Sequence, residues 1–161
     1  MFSRCCNCST NSVLVSRSGA TLVAPDILLS AAHCNSAENY EAWVGPGRAS
    51  YVIIESKRHP EYNAVSMKND FLLLKLGRTV LGITPTVINK DSNVPYDTQS
   101  ITVVGYGATY EGGPMSSTFQ EVVLNHVPYD ECSENYGYLG VDVDEETMFC
   151  AGVDGGGVSR K

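Results

Sequence analysis

The chain has 161 residues, 43% of them hydrophobic and 18% charged, with a formal net charge of −7 at pH 7. That length suits one domain or two small ones, and that apolar fraction supports a packed core and argues against wholesale disorder. The acidic balance argues against generic binding to nucleic acid or to an anionic membrane, both of which need a basic face, and no apolar run approaches the roughly 18–20 residues of a membrane span.

The N-terminal residues 1–11 read as a loose, cysteine-rich segment. Met1-Phe2-Ser3-Arg4 leads into Cys5-Cys6-Asn7-Cys8 and not into an apolar stretch, so no signal peptide is visible. Yet the six cysteines, Cys5, Cys6, Cys8, Cys34, Cys132 and Cys150, are an even set in a loop-rich chain and suggest disulfides and an oxidising compartment. The two signals agree if the true N-terminus lies outside these residues, a reading favoured over cytosolic thiols. Metal binding by Cys5, Cys6 and Cys8 is disfavoured, because Zn²⁺ takes four ligands at open spacings and these three are crowded beside no histidine.

Short β-like runs then follow at residues 12–16, 19–23 and 27–30, with Pro25-Asp26 as the turn between the last two. Further runs at 40–44, 51–58 and 71–76 bring the set to six, enough for a small closed barrel over residues 12–83. Residues 84–99 read as a Pro-flanked linker. Runs at 100–104, 121–128 and 148–151 give the segment 100–161 only three strands, too few to close a barrel. No long amphipathic helix is visible, and the class is all-β. Gly155-Gly156-Gly157 is not a phosphate loop, since no Lys-Ser/Thr pair follows it.

Two places carry chemistry. His33 stands between Ala31-Ala32 and Cys34, and Asp70 opens the apolar run Phe71-Leu72-Leu73-Leu74. A histidine that moves protons needs a buried carboxylate to hold its tautomer and stabilise its imidazolium, and Asp70 is the candidate. A lone histidine beside a cysteine is otherwise an ordinary core residue, and an aspartate before a strand an ordinary turn residue. His59 and His126 read as surface or packing residues, and Trp43 as a partly buried strand aromatic.

Five segments in order resemble the trypsin/chymotrypsin-like serine endopeptidases. They are Leu29-Ser30-Ala31-Ala32-His33-Cys34; Arg58-His59-Pro60-Glu61-Tyr62-Asn63 with Asn69-Asp70-Phe71-Leu72-Leu73-Leu74-Lys75-Leu76; Val103-Val104-Gly105-Tyr106-Gly107; residues 124–132; and Met148-Phe149-Cys150-Ala151-Gly152. The resemblance implies an antiparallel double-barrel serine-protease fold, its first barrel nearly complete and its second only about half present. It implies His33 as general base and acid, Asp70 as its orienting carboxylate, a Cys132–Cys150 disulfide, an extracellular location and a polypeptide substrate, with no metal or organic cofactor. It places Ser159 near the base of the primary specificity pocket and makes His59 a loop residue without catalytic duty.

The departures are equally specific. The family's Gly-Asp-Ser-Gly-Gly motif does not occur in these residues, nor does its Ile-Val-Gly-Gly-like mature start. The usual partner of Cys34 falls near Ser18, which leaves Cys5, Cys6 or Cys8 as substitutes. The expectation is therefore a fragment of a serine endopeptidase that is inactive as it stands, with the nucleophilic serine and oxyanion hole missing. The alternative is a serine-protease homologue that serves as a non-catalytic protein-binding module. The sequence leaves the oligomeric state open.

Overall fold

The computed structural model describes residues 19–34, 41–45, 49–105, 114 and 120–152. Described residues up to Ile88 fall in one compact unit and those from Asn89 onward in a second.

In the first unit, β1 (Thr21–Ala24) and β2 (Ile27–Ser30) form an antiparallel hairpin. Pro25 presets φ for the turn, and the turn is then tied to later chain. Pro25 O accepts the Val80 N–H at 2.7 Å, Asp26 O accepts the Leu76 N–H at 2.9 Å, and Lys75 Nζ lies 2.5 Å from Asp26 Oδ2. A 3-10 turn, Ala32–Cys34, follows β2 directly. A second hairpin joins β3 (Glu41–Val44) to β4 (Ala49–Arg58). Gly45 leaves β3 with φ +76°, where a side chain is strained and where a Cβ would also come within 2.6 Å of Ile83 Cδ1.

The strand β5 (Leu72–Leu76) inserts between the two hairpins, giving the order β1-β2-β5-β4-β3. β4 pairs with β3 through residues 49–52 and with β5 through 53–58, and its register shifts between Ile53 and Glu55. Such a shift bends a strand and adds twist, and the sheet is curled into a half-barrel. The remaining run expected in this half, residues 12–16, lies outside the described residues.

Period-2 alternation puts Leu72, Leu74 and Leu76 on the inner face, against Leu22, Leu28, Tyr51 and Val80. Leu73 points the other way and is 43% exposed, while Leu72 is 1% exposed. Among the described residues no buried polar or charged side chain interrupts this core.

In the second unit β6 (Ser100–Gly105), β7 (Gln120–Val127) and β8 (Cys150–Gly152) form an antiparallel sheet in that order. β7 ends at Val127 because Pro128 has no N–H to give to the ladder. Residues 77–99 contain neither helix nor strand.

One element had no counterpart in the expected set: the helix α1 (Tyr129–Gly137). Pro128 stands at its N-cap position and its carbonyl accepts the Cys132 N–H at 2.9 Å. Asp130 and Glu131 lie in the first turn, where the helix dipole favours negative charge. The helix buries one residue, Cys132, and no apolar stripe. A disulfide from Cys132 to Cys150, with Cα atoms 6.1 Å apart, joins α1 to β8. Cross-linking a loop of sequence separation 18 restricts the unfolded chain by about 3 kcal/mol in the chain-entropy model. Cys132→Ser is therefore expected to lower the unfolding free energy of this unit by about that amount, read as a lower urea midpoint, with a slope that rises because the unfolded chain is less compact. No described helix is long and apolar enough to cross a membrane.

Candidate active site

His33 sits in the middle of the 3-10 turn that ends β2. The turn is closed by the Cys34 N–H donating to Ala31 O at 3.1 Å, and Ala32 is buried against the unit's interior. Ala32 is 1% exposed, so a larger side chain there would overpack the site. Ser30 Oγ donates to Gly19 O at 2.9 Å and ties the end of β2 to the segment before β1.

Asp70 stands just before β5 and is aimed by a chain of tight local turns. Asn69 has φ +56°, a conformation that asparagine tolerates better than most residues, and its carbonyl accepts the Phe71 N–H at 2.7 Å. Upstream, Asn63 Oδ1 accepts from the N–H groups of Val65 and Ser66 at 2.9 and 3.1 Å. The Asn63 carbonyl accepts the Met67 N–H at 2.7 Å. An asparagine side chain that mimics the backbone in this way folds the loop 63–67 back before the carboxylate.

The two residues meet twice. Asp70 Oδ1 accepts the backbone N–H of His33 at 2.8 Å, and Asp70 Oδ2 lies 2.6 Å from His33 Nδ1. The side chains are 15% and 23% exposed respectively. A carboxylate oxygen accepts and does not donate, so the shared proton belongs to Nδ1 and the ring's lone pair to Nε2. This is the tautomer a general base needs. The backbone contact holds the carboxylate against rotation while the ring contact holds the imidazole, so each partner orients the other.

The other singled-out residues stand apart from this pair. Trp43 lies on β3 and is 41% exposed. His126 lies on β7, its ring tilted against Phe149 with centroids 6.2 Å apart and its Nδ1 3.6 Å from Asp97 Oδ1. His59 follows the last residue of β4 and packs its ring edge-on to Phe71 at 6.4 Å. Cys34 is half-buried at the end of the histidine's turn. Ser159, the glycine run before it, Tyr106-Gly107, and Cys5, Cys6 and Cys8 lie outside the described residues.

The loop scaffold around Asp70 was not anticipated. Asn63 and Asn69 are the signals that could have found it, since asparagine is the residue most apt to close such turns.

A family model described as Trypsin matches residues 7–161. The chain is 33% identical over 150 residues to the vitellin-degrading protease of Bombyx mori, covering 86% of this chain and 56% of that protein. It is 32% identical over 151 residues to chymotrypsin-C of Bos taurus, covering 85% of this chain and 55% of that protein. It therefore spans little more than half the length of these curated relatives. Among solved structures it superposes on neuropsin, a serine protease expressed in the limbic system of mouse brain, with a TM-score of 0.75. The sequence identity there is 22%, and the match covers 87% of this chain and 66% of that one. That likeness speaks for the fold, and the family match and the two relatives for descent: the chain belongs to the trypsin family of serine proteases.

Proposed function

We propose that His33 is the general base and acid, and Asp70 its orienting carboxylate, of a site that hydrolyses peptide bonds through an acyl-enzyme. The two-point contact of Asp70 with the His33 backbone and ring carries this reading. A packing histidine has no need of a carboxylate fixed on both oxygens. In the reaction Nε2 takes the proton of a serine hydroxyl as it attacks the scissile carbonyl, and later returns it to the leaving amine. Asp70 stabilises the imidazolium in between.

The nucleophile and oxyanion hole of that reaction belong to a Gly-Asp-Ser-Gly-Gly segment that residues 1–161 do not contain. Residues 1–161 by themselves are thus inactive in this reading and gain activity only when such a segment is supplied. In this reading the described residues within 12–83 carry the half-barrel of His33 and Asp70, 84–99 are the linker, and the described residues within 100–161 belong to the second barrel. The substrate is a polypeptide. The Cys132–Cys150 disulfide favours an extracellular, oxidising setting. A non-catalytic, protein-binding role has less support, since binding alone gives no use for a paired His33.

The test is to incubate the 161-residue protein with amide substrates and with a serine-directed phosphonate. No hydrolysis above background and no covalent adduct are expected. Labelling of Ser159 that disappears in Ser159→Ala would sink the reading.

A further inference from the structure

The segment that follows β4 touches both chain neighbours of Asp70. His59 donates its backbone N–H to Phe71 O at 2.9 Å, one step beyond the last β4–β5 pair, Arg58 with Leu72. Its ring meets the Phe71 ring edge-on. On the other flank, Asn69 Nδ2 donates to Glu61 O at 3.3 Å. Phe71 and Asn69 are the residues immediately after and before the carboxylate, and one short stretch, residues 59–61, holds both.

The link between the two arms is the imidazole of His59. Its Nδ1 accepts the Glu61 N–H at 3.2 Å. That bond orients the peptide between Pro60 and Glu61, and so aligns the Glu61 residue whose carbonyl receives Asn69. The His59 carbonyl in turn accepts the Tyr62 N–H at 3.1 Å, which keeps the turn closed. Any residue but proline could supply the backbone bond to Phe71. The bond to Glu61, by contrast, needs a side-chain acceptor, here Nδ1. Accepting at Nδ1 requires the neutral ring with its proton on Nε2, the opposite tautomer from that of His33.

We infer that His59 is a positioning residue for Asp70: its Nδ1 closes a clip, residues 59–61, that grips Asn69 and Phe71 and so sets the carboxylate against His33. This rests on the pairing of Asp70 with His33 on which the proposed function also rests. His59 touches neither substrate nor the reacting atoms in this role. It acts through the backbone on both sides of the aspartate.

The test is made on the 161-residue protein with ¹⁵N labelling. The readout is the far-downfield ring proton on His33 Nδ1, assigned by its disappearance in Asp70→Asn. His59→Phe keeps a ring against Phe71 and removes the acceptor. It is expected to lower the ratio of paired to unpaired His33 about fivefold, the order of one hydrogen bond, and so to weaken the His33 signal while the β2–β5 amide pattern stays in place. His59→Asn, whose Oδ1 can accept the same N–H in an Asx turn, is expected to restore it.

A full-strength signal in His59→Phe overturns the clip and leaves the His33–Asp70 pairing standing. A weakened signal that His59→Asn does not restore overturns the acceptor role. Absence of the signal from the unmodified protein removes the pairing, and the clip and the proposed function with it. If His59→Phe does not fold, Asn69→Gly decides instead. Glycine accepts the positive φ of residue 69 and deletes only the bond to Glu61. A weakened signal there supports the clip, and an unchanged one overturns it.

Discussion

Asp70→Asn is expected to keep the fold and to lower kcat for amide hydrolysis about 10⁴-fold, measured after residues 1–161 are joined to a segment supplying the nucleophilic serine. The size of the effect follows from the double contact. The side chain at position 70 must still accept the backbone N–H of His33, so in the variant the amide oxygen takes the place of Oδ1. The amide nitrogen then faces His33 Nδ1 in place of Oδ2. A donor in that position needs an acceptor on the ring, so the proton moves from Nδ1 to Nε2. The atom that takes the serine proton in the proposed reaction is then already protonated. Without the backbone contact the asparagine could flip and rescue the tautomer; with it, flipping would set two donors against each other. In the 161-residue protein the same change is visible as an exchange of the two ring ¹⁵N shifts of His33. A variant within about tenfold of the parent in kcat, or one with unchanged ring shifts, would show that Asp70 does not set the tautomer.

The second large effect is on stability. Leu72→Ala is expected to cost about 2–5 kcal/mol, because it removes transfer free energy and leaves a cavity that its neighbours fill only partly. Natural domains have only about 5–15 kcal/mol in all, so this one change would consume a large share of the unit's stability. Leu73→Ala, one residue on, lies on the exposed face of the same strand and is expected to cost under about 1 kcal/mol. Urea unfolding of the two variants checks the contrast. Equal losses would mean that the inner face of β5 is assigned to the wrong residues.

That contrast marks where sequence reading reaches its end. The run Phe71-Leu72-Leu73-Leu74 announces a strand, but an unbroken apolar run has no period from which to choose its inner face. Register against β2 and β4 makes the choice, and register is a tertiary property. The strands of the second unit were legible within two residues because turn-formers bound them. The helix α1 was not, since it is held by Pro128, two acidic residues and a disulfide in place of an apolar stripe. His33 and Asp70 could be singled out from residue types and neighbours alone. The grip between them could not, because one of its bonds uses the backbone N–H of a 3-10 turn that no side-chain pattern announces. For the same reason the role of residues 59–61 stayed hidden: most of their bonds to the aspartate's neighbours run through peptide groups.

The placement of β5 in the centre of the sheet also bears on how the site comes into being. During synthesis β1 to β4 emerge first, as two hairpins with nothing to join them. β2 and β4 keep unpaired inner edges until residues 72–76 arrive and slot between them. Pairings of such long sequence separation are slow to form, because the chain must close a loop before any contact offsets the lost entropy. Asp70 travels at the head of that same late strand. His33 therefore meets its carboxylate only once the residues that follow Asp70 have been synthesised and can enter the sheet beside β2. The strand that completes the sheet is also the one that delivers Asp70 to His33.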